Sequence, residues 1–136
     1  MDNYHISTIS SHMGPSAIEV TRAADSDRVV TGGELASMFT KNPQGFIYLD
    51  GCSSFKPGAT SALANAVKNK ELLSGGYTSD VNAKGDNLFV SKFFGYLAQG
   101  YTARNAQSKA TAYVSNALGV SIVPTWTPSN HDFSLT

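Results

Sequence analysis

Ten residues, Gly45-Phe46-Ile47-Tyr48-Leu49-Asp50-Gly51-Cys52-Ser53-Ser54, constrain the fold more than any other stretch of the chain. Phe46 to Leu49 is a short run of apolar, aromatic and branched side chains. Asn42, Pro43 and Gly45 precede it, and Asp50-Gly51 ends it. Such a run between breakers reads as a buried central strand of a parallel sheet. The only cysteine of the sequence lies just past its C-terminal end. In open α/β sheets that edge is where ligands bind and catalytic groups are presented. A helix pattern follows within a few residues, so Cys52 also stands near a helix N-terminus, whose dipole favours an anion. A lone cysteine is more often a small buried apolar side chain. The polar loop around Cys52 shifts the balance toward chemistry.

The rest of the chain supplies partners for that strand. Tyr4 to Ser10 alternates and carries branched residues, which predicts a strand, and Gly14-Pro15 forces a turn soon after. Ala17–Val20 reads as a short strand or turn, with Val29-Val30 as its hairpin partner across the charged loop Ala23–Arg28. Thr31 is a helix cap, and Leu35, Met38 and Phe39 follow at helical spacing until Pro43. Thr60 caps a second helix over Ser61–Asn69, and Leu72-Leu73 opens a short strand. Gly75 to Asp80 reads as a glycine-hinged loop. Asp86-Asn87 caps a longer helix through Leu88, Phe89, Phe93, Tyr96 and Leu97, which Gly100 breaks. Thr102 caps another, running to about Leu118, with Ala103, Ala106, Ala110, Tyr113, Val114 and Ala117 as a narrow apolar stripe. Gly119 ends it. Val120–Val123 reads as a strand, Pro124–Asn130 as a loop and His131–Leu135 as a last short strand. Strands alternating with helices predict one α/β domain over residues 1–136 with a largely parallel sheet.

Charge and motif content exclude several functions. Ten basic and ten acidic residues cancel over 136 positions, so no basic face points to nucleic acid or a membrane as main partner. One cysteine rules out an internal disulfide and any multi-cysteine metal site, and it fits a reducing, cytoplasmic compartment. No apolar run reaches membrane-spanning length, and Met1-Asp2-Asn3-Tyr4-His5 has no signal-peptide character. There is no GxGxxG, no P-loop and no metal-ligand spacing, so no cofactor is expected.

The strand ending at Ser10 leads into His12, and the strand ending at Asp50 leads into Cys52. Parallel neighbours place such ends side by side, and a cysteine–histidine pair supplies a nucleophile with its general acid–base. His12 alone would be read as a polar turn residue. His5 and His131 have no comparable setting. Without a Gly-x-Ser-x-Gly elbow, serine hydrolase chemistry ranks low for Ser10, Ser11, Ser53 and Ser54.

Ile9-Ser10-Ser11-His12-Met13-Gly14, followed by Phe46 through Ser54, resembles the caspase-like cysteine peptidases, a group that includes caspases, metacaspases, separase and CHAT-domain proteases. Gly51-Cys52-Ser53-Ser54 is similar to separase, and the spacing of Asp50, Cys52 and Ser54 to metacaspases. Leu73 to Asp80 resembles the metacaspase loop that ends in a second acidic residue. Phe93 to Thr102, then Ala106, resembles the helix–glycine–helix pattern of CHAT domains. The resemblance spans roughly residues 4 to 118. It implies a three-layer sandwich, a mostly parallel sheet flanked by helices. It implies a cysteine endopeptidase acting on a protein or peptide substrate, with Cys52 as nucleophile and His12 as its partner. Asp50 and Asp80 would line a pocket for Arg or Lys before the cut. Family members read His-Gly, whereas here Met13 precedes Gly14, so the oxyanion donor beside the Cys52 amide is expected from Met13 or Gly14. Only eleven residues precede His12, where relatives carry further strands. The expectation is a sheet edge that pairs with a partner chain or with an absent N-terminal segment. Two other readings stay open: a catalytically inactive interaction domain of the same fold, and a flavodoxin-like binding module.

Overall fold

Strand β4 (Gly45–Asp50) forms where the sequence predicts a central strand, and it is paired on both sides. Its neighbours are β1 (His5–Ser10) and β5 (Leu73–Gly76), both parallel to it. Strand β6 (Thr125–Thr127) closes the far side antiparallel to β5, giving the order β1-β4-β5-β6. A hairpin of β2 (Ala17–Glu19) and β3 (Val29–Thr31) forms a separate two-stranded sheet. Helix α1 (Gly32–Met38) follows directly. The computed structural model describes residues 5–19, 29–38, 45–56, 65, 73–127 and 132–135. The architecture is mixed α/β with a mostly parallel four-stranded sheet.

Period-two alternation sorts the side chains of β4 onto two faces. Ile47 and Leu49 join Met13, Ile18, Leu35 and Phe55 in one apolar cluster, with Ile9, Val30 and Ala36 against it. Phe46 and Tyr48 take the other face, where Trp126 lies 5.6 and 5.8 Å from their ring centroids. Tyr77 meets Tyr48 edge-on, and their hydroxyls share a hydrogen bond. Burial of each such side chain contributes about 1.5–3 kcal/mol, which is why a run without a polar face is stable here. Thr31 caps α1 reciprocally: Glu34 N–H donates to its Oγ1, and its own N–H donates to Glu34 Oε2.

Contacts divide the chain into two units, Met1–Asp80 with Thr125–Ser129, and Val81–Pro124 with Asn130–Thr136. The second unit is built on α2 (Ala83–Ala98) packed against α3 (Ala103–Leu118). Phe89, Phe93 and Leu97 are buried on α2, and Ala103, Ala106, Ala110 and Val114 on α3. The small residues of the α3 stripe allow close helix approach, as the sequence predicts. Tyr113 and Ala117 depart from that stripe: both are exposed, and Lys92 Nζ lies 4.1 Å from the Tyr113 ring centroid. Gly119 ends α3 with φ of 68°.

Several boundaries differ from expectation. Helix α2 starts at Ala83 rather than after Asp86-Asn87, because Asn82 is the cap: its side chain accepts the Gly85 N–H at 2.8 Å. Gly75 and Gly76 belong to strand β5, not to a loop, because β6 and the Phe55 turn pack directly onto their backbone. No strand forms over Val120–Val123; the pairing segment is Thr125–Thr127, past Pro124. Asp132 to Leu135 is also not a strand, since Asp132 and Phe133 serve the start of α3: Arg104 N–H donates to Asp132 Oδ1 and Ala103 N–H to the Phe133 carbonyl. The helix expected over Ser61–Asn69 lies outside the described residues but for Asn65, as do the loop Ala23–Arg28, Tyr4, Val20, Phe39, Leu72 and His131.

Candidate active site

Register places the two chemically capable strand ends together. Ser10 pairs with Asp50, and the Ser11 N–H continues the ladder to the Asp50 carbonyl at 3.3 Å. His12 and Cys52 each follow two residues later, so they leave neighbouring strands, about 4.8 Å apart, at the same C-terminal edge. His12 is exposed and Cys52 half-buried. Among the described residues the His12 imidazole makes no hydrogen bond, to the Cys52 thiol or any other group.

The turn that carries Cys52 is fixed from three directions. Gly51 lies against the Met13 side chain; a Cβ there would stand 2.7 Å from Met13 Sδ. Ser54 is buried, donates from Oγ to the Leu49 carbonyl at 2.8 Å and accepts the Tyr77 N–H at 3.2 Å. Phe55 N–H donates to the Tyr77 carbonyl at 2.8 Å. Between them Ser53 adopts φ of 56°, and it is the one non-glycine residue with positive φ among those described. Its N–H donates to the Ser79 carbonyl at 3.0 Å, and its Oγ donates to Asp80 Oδ1 at 3.0 Å.

The histidine turn is fixed by the hairpin. Met13 and Ile18 form an antiparallel bridge, flanked by Gly14 N–H to the Ala17 carbonyl at 3.1 Å and Glu19 N–H to the His12 carbonyl at 2.8 Å. Ser11 Oγ also donates to the Glu19 carbonyl. In this pairing the flanking groups bond across the bridge, so the Met13 N–H faces away from β2 while the Gly14 N–H is used within the turn. A pocket of about 320 Å³ opens here, lined by His12, Met13, Gly14, Ser16, Ala17 and Glu19, with Val29 at one side. Cys52, Asp50 and Asp80 are not among its lining residues.

The two expected specificity carboxylates differ in setting. Asp50 is 4% exposed and, by alternation along β4, lies on the face of Phe46 and Tyr48. Asp80 is exposed and reaches the cysteine turn through Ser53. Among the described residues no group of three His, Cys, Asp or Glu could hold a metal ion, and no helix is long and apolar enough to cross a membrane. No protein family matches the chain, and no curated protein matches it. The sequence reading named Cys52, His12, Asp50 and Asp80 but passed over the parts played by Ser53, Ser54 and Ser79. Ser53 carries no local signal, because positive φ is ordinarily marked by Gly or Asn.

Proposed function

We propose that the protein is a cysteine endopeptidase of caspase-like architecture, a three-layer sandwich, acting on protein or peptide substrates. The observation that carries this reading is the β1–β4 register, with His12 and Cys52 leaving adjacent parallel strands at one edge. The Cys52 thiolate attacks the scissile carbonyl and forms a thioester, while His12 donates a proton to the departing amine. Water then attacks the thioester with His12 as base, releasing the acid and restoring the thiol. The amides of Met13 and Cys52 hold the oxyanion, Gly14 being engaged with Ala17. Asp50 and Asp80 favour Arg or Lys before the cut, through charge complementarity. The outer side of β1 takes a partner strand, since the edge sequence His5-Ile6-Ser7-Thr8-Ile9-Ser10 has no proline, lysine or carboxylate to defend it.

Fluorogenic peptides differing only at the residue before the cut test this. Hydrolysis should prefer Arg or Lys, and Cys52→Ala should abolish it with the fold intact. His12→Ala should lose about 10²–10⁴-fold in kcat. Full activity in Cys52→Ala would eliminate the endopeptidase reading; an inert wild-type chain that still binds peptides would favour an interaction domain. Selectivity for Asp or an apolar residue would remove the specificity assignment alone.

A further inference from the structure

We infer that Asp80 is a positioning residue for the nucleophile, acting through Ser53. The inference rests on Cys52 as the reacting group and goes beyond that reading in assigning the side chain that holds its turn. Three observations converge on it. Ser53, directly after Cys52, holds a backbone conformation that L-residues with a side chain rarely adopt. Such a conformation persists only where its surroundings over-determine it, and it is concentrated at functional sites. The groups that hold it come from one segment: the Ser79 carbonyl takes the Ser53 N–H, and Asp80 Oδ1 takes the Ser53 hydroxyl, each at 3.0 Å. Neighbouring backbone reinforces this attachment, since Phe55 N–H bonds the Tyr77 carbonyl and a Cβ on Gly76 would collide with Phe55 and Ser54.

Asp80 therefore differs from the other bonds in being a side-chain anchor at an exposed site, removable without opening a core. Releasing it lets Ser53 relax toward negative φ. That rotation moves the amide and thiol of Cys52 relative to His12. A carboxylate accepts this hydrogen bond with one oxygen, so an amide at the same position still accepts it, as a weaker neutral bond, where alanine cannot. Glycine at position 53 adopts positive φ without strain and makes the anchor dispensable.

The test uses Asp80→Asn, Asp80→Ala, Ser53→Gly and the double variant Ser53→Gly/Asp80→Ala, read in two ways. In peptide hydrolysis, Asp80→Ala should lower kcat by about 10²-fold, the usual consequence of a displacement near 1 Å at reacting groups. KM for a substrate with a neutral residue before the cut should hold. On that neutral substrate Asp80→Asn should retain more of kcat than Asp80→Ala, and the double variant should return to the level of Ser53→Gly alone. Alkylation of Cys52 by iodoacetamide needs no substrate. There Asp80→Ala should speed labelling, as the loosened turn exposes the half-buried thiol, while Asp80→Asn speeds it less and the double variant matches Ser53→Gly. Equal losses in Asp80→Asn and Asp80→Ala, or unchanged kcat and labelling in Asp80→Ala, would overturn the inference. Labelling that follows the expected pattern in a chain that hydrolyses no peptide would uphold it and remove the endopeptidase reading.

Discussion

Ser54 shows how much one buried hydroxyl carries at this site. It bridges the end of β4 and the start of the segment after β5, donating to Leu49 and accepting from Tyr77. Ser54→Ala should destabilise the protein by about 1–3 kcal/mol, because it removes both partners from buried backbone groups. Denaturant titration reads this as a lower midpoint with unchanged slope. Gly51→Ala should cost about 1–3 kcal/mol by a different route, overpacking against Met13. The strand ends that carry Cys52 and His12, the residues proposed to react, were legible in the sequence, and the register sets those ends on neighbouring strands. The anchoring contacts of Ser53, Ser54 and Met13 were not, because their partners at Ser79, Tyr77 and Gly51 are brought to them only by the folded sheet.

Elements with their signals in one place were read correctly, whereas the β5–β6 pairing was not. Thr31 and Glu34 form a local capping box, so the start of α1 follows from four residues. Gly119 likewise marks the end of α3. For α2, two cap-type residues compete, Asn82 and the Asp86-Asn87 pair, and local preference does not separate them. The Asn82 side chain makes the cap bond to Gly85. Asn82→Ala should therefore cost about 1 kcal/mol, whereas Asn87→Ala, at an exposed helical position, should stay within about 0.5 kcal/mol. Comparable losses in both variants would contradict this capping scheme. The β5–β6 pairing was hidden for another reason. Trp126 lies over the bare backbone of Gly75, so one of the two glycines that look like hinges is the floor for an indole ring. Trp126→Ala should then cost about 3–5 kcal/mol, far more than a strand-end residue ordinarily would.

At the scale of the whole molecule, the order of strands and helices was enough to give an α/β architecture with a mostly parallel sheet. Its division into two units was not, since Val81–Pro124 is set between β5 and β6 and chain order alone does not reveal which contacts close. The sheet has a clear gradient of support. Strand β4 is paired on both sides, Ile47 and Leu49 are buried in the aliphatic cluster, and Phe46 and Tyr48 are buried among Trp126 and Tyr77. Strand β1 has β4 on one side, and among the described residues nothing pairs with the other. The hairpin β2–β3 is short, with Val29 half exposed. Opening β4 requires both faces and both neighbours to separate, which amounts to unfolding the unit. Its amides from Phe46 to Leu49 should exchange only through that global event, slowing with the full stability of the unit. Amides of β1 and of the hairpin should exchange faster, through local opening. Hydrogen–deuterium exchange followed by mass spectrometry measures this directly. Under the proposed function this ordering makes the strand presenting Cys52 the rigid one and the strand leading to His12 the one that adjusts to substrate. Exchange in β4 as fast as in the hairpin would refute both the ordering and the division of labour drawn from it.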